Sequence, residues 1–135
     1  MNKQGKWLAL ALLMASTTLT ADDLAGADKI LCTAVQATRC SVDDECRSGS
    51  PWEWNIPQFI EVDLKKKELA TTAASGEDRV TPIKNLERDE GVLYLQGIEG
   101  GRAFSFVIDE ATGSLSVAVA SRAGSTMVLG ACTPR

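Results

Sequence analysis

Four cysteines and the absence of histidine decide most of the chemistry open to this sequence. With no histidine in 135 residues, neither a Ser-His-Asp triad nor a Cys-His pair can form. In a small exported domain, an even number of cysteines predicts two disulfides rather than thiolate nucleophiles. The alternative is a zinc site, but no CxxC pair occurs and Cys132 is remote from Cys32, Cys40 and Cys46. We therefore expect no catalytic residue, no metal and no cofactor.

Carboxylates are the remaining groups that could transfer protons or hold a metal ion. Asp43, Asp44 and Glu45 are consecutive, and consecutive side chains point in different directions, so we interpret them as a solvated loop rather than a calcium site. Glu61 and Asp63 share one strand face and could in principle form a carboxylate pair, which the alternative function, a carboxylate-based hydrolase of the cell envelope, would need facing one cleft. We expect them instead on the wet face of a half-buried strand.

The tryptophans and prolines concentrate in one segment, SGSPWEWNIPQF at residues 48–59. Pro51 and Pro57 bias this segment toward extended backbone, in which Trp52 and Trp54 face the same side. The two indoles form either a ligand lid or partner anchor, or a cap that completes a core poor in aromatic residues. The candidate binding residues are Trp52, Trp54 and Phe59, and the partner is a small apolar ligand or an envelope protein.

The first 21 residues predict a secretory signal peptide. Lys3 and Lys6 precede an apolar run that is much shorter than the roughly 20 residues of a spanning helix, and small residues follow. We expect cleavage after Ala21, with Ala27 as the other candidate, and a periplasmic or secreted product without stable membrane insertion. Cleavage removes two lysines and no acid from a chain of net charge −4, so we expect no nucleic-acid binding.

Residues 22–135 predict a single all-β domain. Turn signals recur at about 11–12 residues, the spacing of an antiparallel meander, and Pro82 should place a bulge or an edge in the predicted strand at residues 79–86. About eight strands in up-and-down order would close into a small monomeric barrel. The predicted strands are residues 30–40, 58–64, 68–74, 79–86, 92–98, 102–109, 114–121 and 125–132.

Barrel closure makes one disulfide pairing stand out. The first and eighth strands would be antiparallel neighbours, so Cys32 and Cys132 would meet at one end of the barrel, and Cys40 and Cys46 would pair across a loop at the other. The spacing alone leaves all three pairings open. Alternation along the strands predicts the interior residues, which are Ile60, Val62, Leu64, Leu93, Leu95, Phe104, Phe106, Ile108, Leu115, Val117, Val119, Met127 and Leu129.

Two turns carry their own signatures. In DEATG, Asp109 can accept hydrogen bonds from the backbone ahead of it, and Gly113 can adopt a positive φ. In EGGR, Gly100 and Gly101 suit a two-residue hairpin.

Three stretches carry a resemblance to known proteins. The run PQFIEVDL, the hairpin FSFVIDEATGSLSVAVA and the ending GACTP resemble those of a family of small exported bacterial proteins that has no known activity. The resemblance implies export and assigns no functional residue.

Overall fold

The structure is a computed structural model that describes residues 23–135, so the predicted signal peptide at 1–21 lies outside the described residues. Ten strands form one antiparallel sheet that curls into a half-barrel, in the order β5-β4-β3-β1-β10-β9-β8-β7-β6, with β2 paired to β1. The strands are β1 Lys29–Ser41, β2 Asp44–Gly49, β3 Phe59–Asp63, β4 Glu68–Thr71, β5 Val80–Pro82, β6 Asn85–Asp89, β7 Val92–Glu99, β8 Arg102–Asp109, β9 Ser114–Ser121 and β10 Gly124–Pro134.

The all-β antiparallel prediction is confirmed, and two differences explain why the strands number ten. The strand predicted at residues 79–86 divides into β5 and β6 beyond Pro82, whose nitrogen has no hydrogen to donate to the ladder. At this break, Ile83 N–H donates to the Lys67 carbonyl (2.9 Å) and Lys84 N–H donates to the Gln96 carbonyl (2.8 Å). The second difference is β2, whose charged sequence DECRSG is typical of a loop.

The first and last strands of the chain, β1 and β10, are neighbours in the sheet and form a covalently linked seam. β1 pairs with β10 over almost its whole length, and Cys32 lies directly opposite Cys132 in this ladder. The structure has the two expected disulfides, Cys32–Cys132 across the seam and Cys40–Cys46 across the β1–β2 hairpin. Disulfides of this kind persist in oxidising compartments, so they indicate an extracytoplasmic environment.

The inner face of the sheet is apolar as predicted, except on β10. Eleven of the thirteen predicted interior residues lie in the core or pack against it. The predictions for Met127 and Leu129 are wrong, because these side chains are 55% and 48% exposed whereas Val128 is buried. Alternation explains the error: Cys132 faces inward to form its disulfide, so the even-numbered residues of β10 face inward with it.

Both predicted turns have the expected conformation. Gly113 has φ +73°, and the Asp109 carboxylate accepts hydrogen bonds from the N–H groups of Ala111 and Thr112 and from the Thr112 hydroxyl. These donors, the backbone N–H of Thr112 above all, hold the pKa of Asp109 below its usual range. Gly100 and Gly101, both at positive φ, join β7 to β8. The short turns fix the register of the strands on either side.

Candidate ligand-binding cavity

The two ends of the half-barrel differ in how they are filled. At one end, large apolar side chains are completely buried, among them Leu24, Ile30, Leu95 and Ile108 at 0% exposure. Leu24 N–H donates to the Glu110 carbonyl, which holds the N-terminal segment over this end. We call it the closed end. The hairpins β1–β2, β7–β8 and β9–β10 turn at the opposite end, the open end.

A cavity of about 320 Å³ opens from the inner face of the sheet at the open end. Its volume lies at the small end of the roughly 300–1,000 Å³ range of ligand pockets. The deeper wall is apolar, and it includes a T-shaped pair formed by Phe104 and Phe106 with ring centroids 5.8 Å apart. The aliphatic and phenylalanine side chains that strands contribute to the lining, alanines aside, are Ile60, Leu69, Phe104, Phe106, Leu115, Val117, Val119 and Val128.

The segment from Ser50 to Pro57 contributes one wall of the cavity. A 3-10 helix covers Pro51–Trp54, with Ser50 as its N-cap and the Glu53 carboxylate accepting the Ser50 N–H at 3.2 Å. Trp54 is half-buried against the core and lines the cavity together with Ile56. One indole therefore belongs to the cavity wall.

The expectation that Trp52 and Trp54 face the same side is wrong. Residues two apart lie on one side of extended chain, but a 3-10 helix turns about 120° per residue and separates them. Trp52 is 65% exposed and does not line the cavity. Phe59 is half-buried in β3, where strand alternation turns it away from the cavity that its neighbour Ile60 lines. The structure thus places only Trp54 of the three candidates at the cavity.

The 3-10 helix had a signal in the sequence. Ser50, Pro51 and Glu53 match a helix N-terminus, with a hydroxyl residue at the N-cap, proline at the first helical position and an acid two residues beyond it. This pattern specifies a helical turn at the place where the prolines alone suggest extended chain.

The mouth of the cavity is charged. Within residues 23–135, its charged lining residues are Arg39, Arg79, Arg102 and Glu99. Glu99 lies 3.9 Å from Arg79 Nε and accepts a hydrogen bond from the buried Thr81 hydroxyl at 2.5 Å. Three positive side chains and one negative one therefore line the mouth of a chain whose net charge is negative.

The carboxylates considered for catalysis lie outside the cavity. Glu61 forms an ion pair with Arg135, and Lys29 Nζ lies 3.9 Å from Asp63. The Asp63 carboxylate also accepts the N–H groups of Lys65 and Lys66. The Lys66 N–H, with Lys29 nearby, holds the pKa of Asp63 below its usual range. This aspartate thus serves as a turn acceptor on the outer face of β3.

A buried acid that the sequence reasoning missed lies at the closed end. Glu110 is 4% exposed, and its Oε1 accepts a hydrogen bond from Arg88 Nε at 2.8 Å. The sequence gives little sign of this burial, because Glu110 sits inside a turn that reads as solvated. Across residues 23–135, no three acidic, cysteine or histidine side chains converge in the way that a metal ion needs.

Comparisons with protein-family models, curated proteins and solved structures find no match for this chain. The resemblance to small exported bacterial proteins therefore stays a prediction. Within the part of the chain that the structure describes, no helix is long and apolar enough to cross a membrane.

Proposed function

We propose that this protein is a non-enzymatic periplasmic or secreted binding protein that holds a small apolar ligand inside a closed β-barrel. The observation that carries the proposal is the cavity of about 320 Å³, which is apolar in depth and open at one end. Apolar pockets with a few polar groups are the usual form of small-molecule sites. The two disulfides support a role outside the cytoplasm.

Closure of the barrel is the structural part of this proposal. β5 and β6 follow each other in the chain, and one pairs with β4 while the other pairs with β7. At the break, Ile83 N–H donates to the carbonyl of Lys67, the residue before β4, and Lys84 N–H donates to the carbonyl of Gln96 in β7. β5 and β6 then act as one bent strand that joins the two ends of the sheet. Counted in this way, eight strands surround the ligand.

A fluorescence titration tests the proposal. Trp52 and Trp54 are the only tryptophans after the predicted cleavage site. The neutral dye N-phenyl-1-naphthylamine should become brighter in the oxidised mature protein and quench Trp54. Trp54→Phe should remove the quenching, and Trp52→Phe should leave most of it.

A matched pair of variants locates the dye. Val119→Phe narrows the cavity and should weaken binding, whereas Ala118→Phe adds a ring on the outer face of β9 and should not. Thermal melts with intact disulfides establish that both variants are folded. Dye binding by folded Val119→Phe at the wild-type affinity would contradict the cavity proposal.

Trp52 favours a second candidate, a protein partner. Its 65% exposure on a short 3-10 helix presents a large indole to solvent, and tryptophan is enriched where proteins bind each other. Trp52→Ala should then abolish capture of one envelope protein while leaving the dye titration unchanged. Loss of the dye signal in Trp52→Ala would instead assign this residue to the ligand site.

A further inference from the structure

The charged mouth of the cavity bears on the chemical class of the ligand. Glu99 pairs with Arg79 and accepts a hydrogen bond from the Thr81 hydroxyl. Arg39 and Arg102 are the other two arginines at the mouth. Among residues 23–135, neither Arg39 nor Arg102 has a carboxylate within ion-pair distance. Glu99 is the direct ladder neighbour of Arg102, but it forms its ion pair with Arg79. The charged side chains that line the mouth therefore carry three positive charges against one negative charge.

The two arginines reach the mouth from opposite walls. Arg102 continues the inward alternation of Phe104 and Phe106 on β8, and Arg39 lies on β1, three strands away in the sheet order. Curling of the sheet turns these two inner faces toward each other. A group that lies in the mouth can therefore be approached by both side chains.

Arg39 also has a positively charged neighbour on β2. Arg47 on β2 lies directly opposite Arg39 in the β1–β2 ladder, so the two side chains share one face of the sheet. Like charges at directly opposite positions destabilise a strand pair. Arg47 does not itself line the cavity. An anion bound by Arg39 would still offset this repulsion, because guanidinium groups recognise carboxylate and phosphate oxygens through paired hydrogen bonds.

We propose, building on the function proposed above, that the ligand is a single-chain amphiphile with an anionic head group. Arg39 and Arg102 hold the head at the mouth, and the tail lies against the phenylalanine pair and the apolar residues beyond it. A methylene group occupies about the volume of a water molecule, roughly 30 Å³. A cavity of about 320 Å³, which includes the mouth, therefore takes at most about ten carbons, the head-group carbon included.

Two ten-carbon probes test the head group. Decanoate and 1-decanol carry the same tail, and each is titrated at neutral pH below its aggregation limit into the mature oxidised protein. Decanoate should bind about tenfold tighter or more, the ratio expected for a charge-assisted hydrogen bond. Decyl phosphate in the same titration distinguishes a phosphate from a carboxylate head.

Variants of the mouth locate the effect. Arg39→Gln combined with Arg102→Gln should reduce decanoate affinity to that of decanol, and the corresponding lysine variants should restore most of it. Lys66→Gln removes one charge at the closed end, in the exposed β3–β4 turn, and should change neither affinity. Unchanged decanol binding in the glutamine variants shows that the cavity is intact.

The outcomes separate this inference from the function on which it rests. Equal binding of decanoate and decanol by the wild type, or glutamine variants that keep the preference for decanoate, would overturn the anionic head group and leave an apolar-ligand protein. If neither probe nor the neutral dye binds, both proposals fail.

Discussion

The seam disulfide should contribute more to stability than the hairpin disulfide, and one chain allows both to be measured. Cys32–Cys132 joins residues 100 positions apart, whereas Cys40–Cys46 joins residues 6 positions apart. A cross-link lowers the conformational entropy of the unfolded chain by an amount that rises with the logarithm of the number of residues in the loop that it closes. The perturbation is alanine at both cysteines of one bridge, made separately for each bridge.

The loop lengths give the magnitudes. In the chain-entropy account, a loop of 100 residues corresponds to about 4.7 kcal/mol and a loop of 6 residues to about 2.2 kcal/mol. The two double variants should therefore differ by about 2.5 kcal/mol. Burial acts in the same direction, because Cys32 and Cys132 are each 2% exposed and their replacement also removes buried sulfur atoms.

Equilibrium unfolding in urea measures the difference. A slope of about 1–3 kcal/mol per molar places the midpoint of the seam variant roughly 0.8–2.5 M below that of the hairpin variant. Each slope must be fitted, since a changed slope signals a changed unfolded state. Equal losses, or a larger loss on removing Cys40–Cys46, would refute the loop-entropy reasoning.

Three further substitutions have direct structural reasons. Leu24→Ala should cost about 2–5 kcal/mol in urea unfolding because this side chain is fully buried at the closed end, whereas Leu129→Ala on the outer face should change stability by about 0.5 kcal/mol or less; similar losses would contradict the assigned faces. Gly113→Ala should lower the melting temperature more than Gly91→Ala. Both glycines have positive φ, but only at Gly113 would a methyl group overlap the backbone of β10 at Cys132. Equal melting temperatures would contradict this packing. Asp109→Ala should destabilise the protein near neutral pH. Because the pKa of Asp109 is lowered in the folded state, its contribution to stability is complete above the unfolded-state pKa of about 3.9 and is lost as the pH falls through the folded-state value. The melting temperatures of wild type and variant should therefore converge in acid. A difference between them that does not change with pH would contradict this role.

The strands and turns could be predicted because their signals are local. Alternation on β7, β8 and β9 and the turn residues Asp109 and Gly113 specify their structure over a few positions. The face of β10 was predictable in principle, since a buried disulfide at Cys132 sets the alternation of the strand. The ladder break beyond Pro82 was predicted as a bulge or an edge, but its two hydrogen-bond partners depend on distant strands.

The cavity mouth was harder to predict, for a physical reason. Arg102 extends the alternation of Phe104 and could have been found by following β8 to its first residue. Arg39 could not, because the register of β1 shifts between Ala34 and Gln36 and turns the following side chains to the opposite face. A bulge of this kind leaves no mark in the hydrophobic pattern.

The seam between β1 and β10 also means that the sheet cannot be complete until the last strand of the chain has been synthesised. Its pairs lie 83 to 104 residues apart in the chain, so a long loop must close before the seam hydrogen bonds form. The entropy lost in this closure slows folding relative to a sheet built from local hairpins alone. A ribosome or an export channel delivers β10 after every other strand of the sheet. Until then β1 keeps an unpaired edge, which is a template for association with other chains. Aggregation before folding is complete therefore depends on how quickly the last strand becomes available, whatever the stability of the finished sheet.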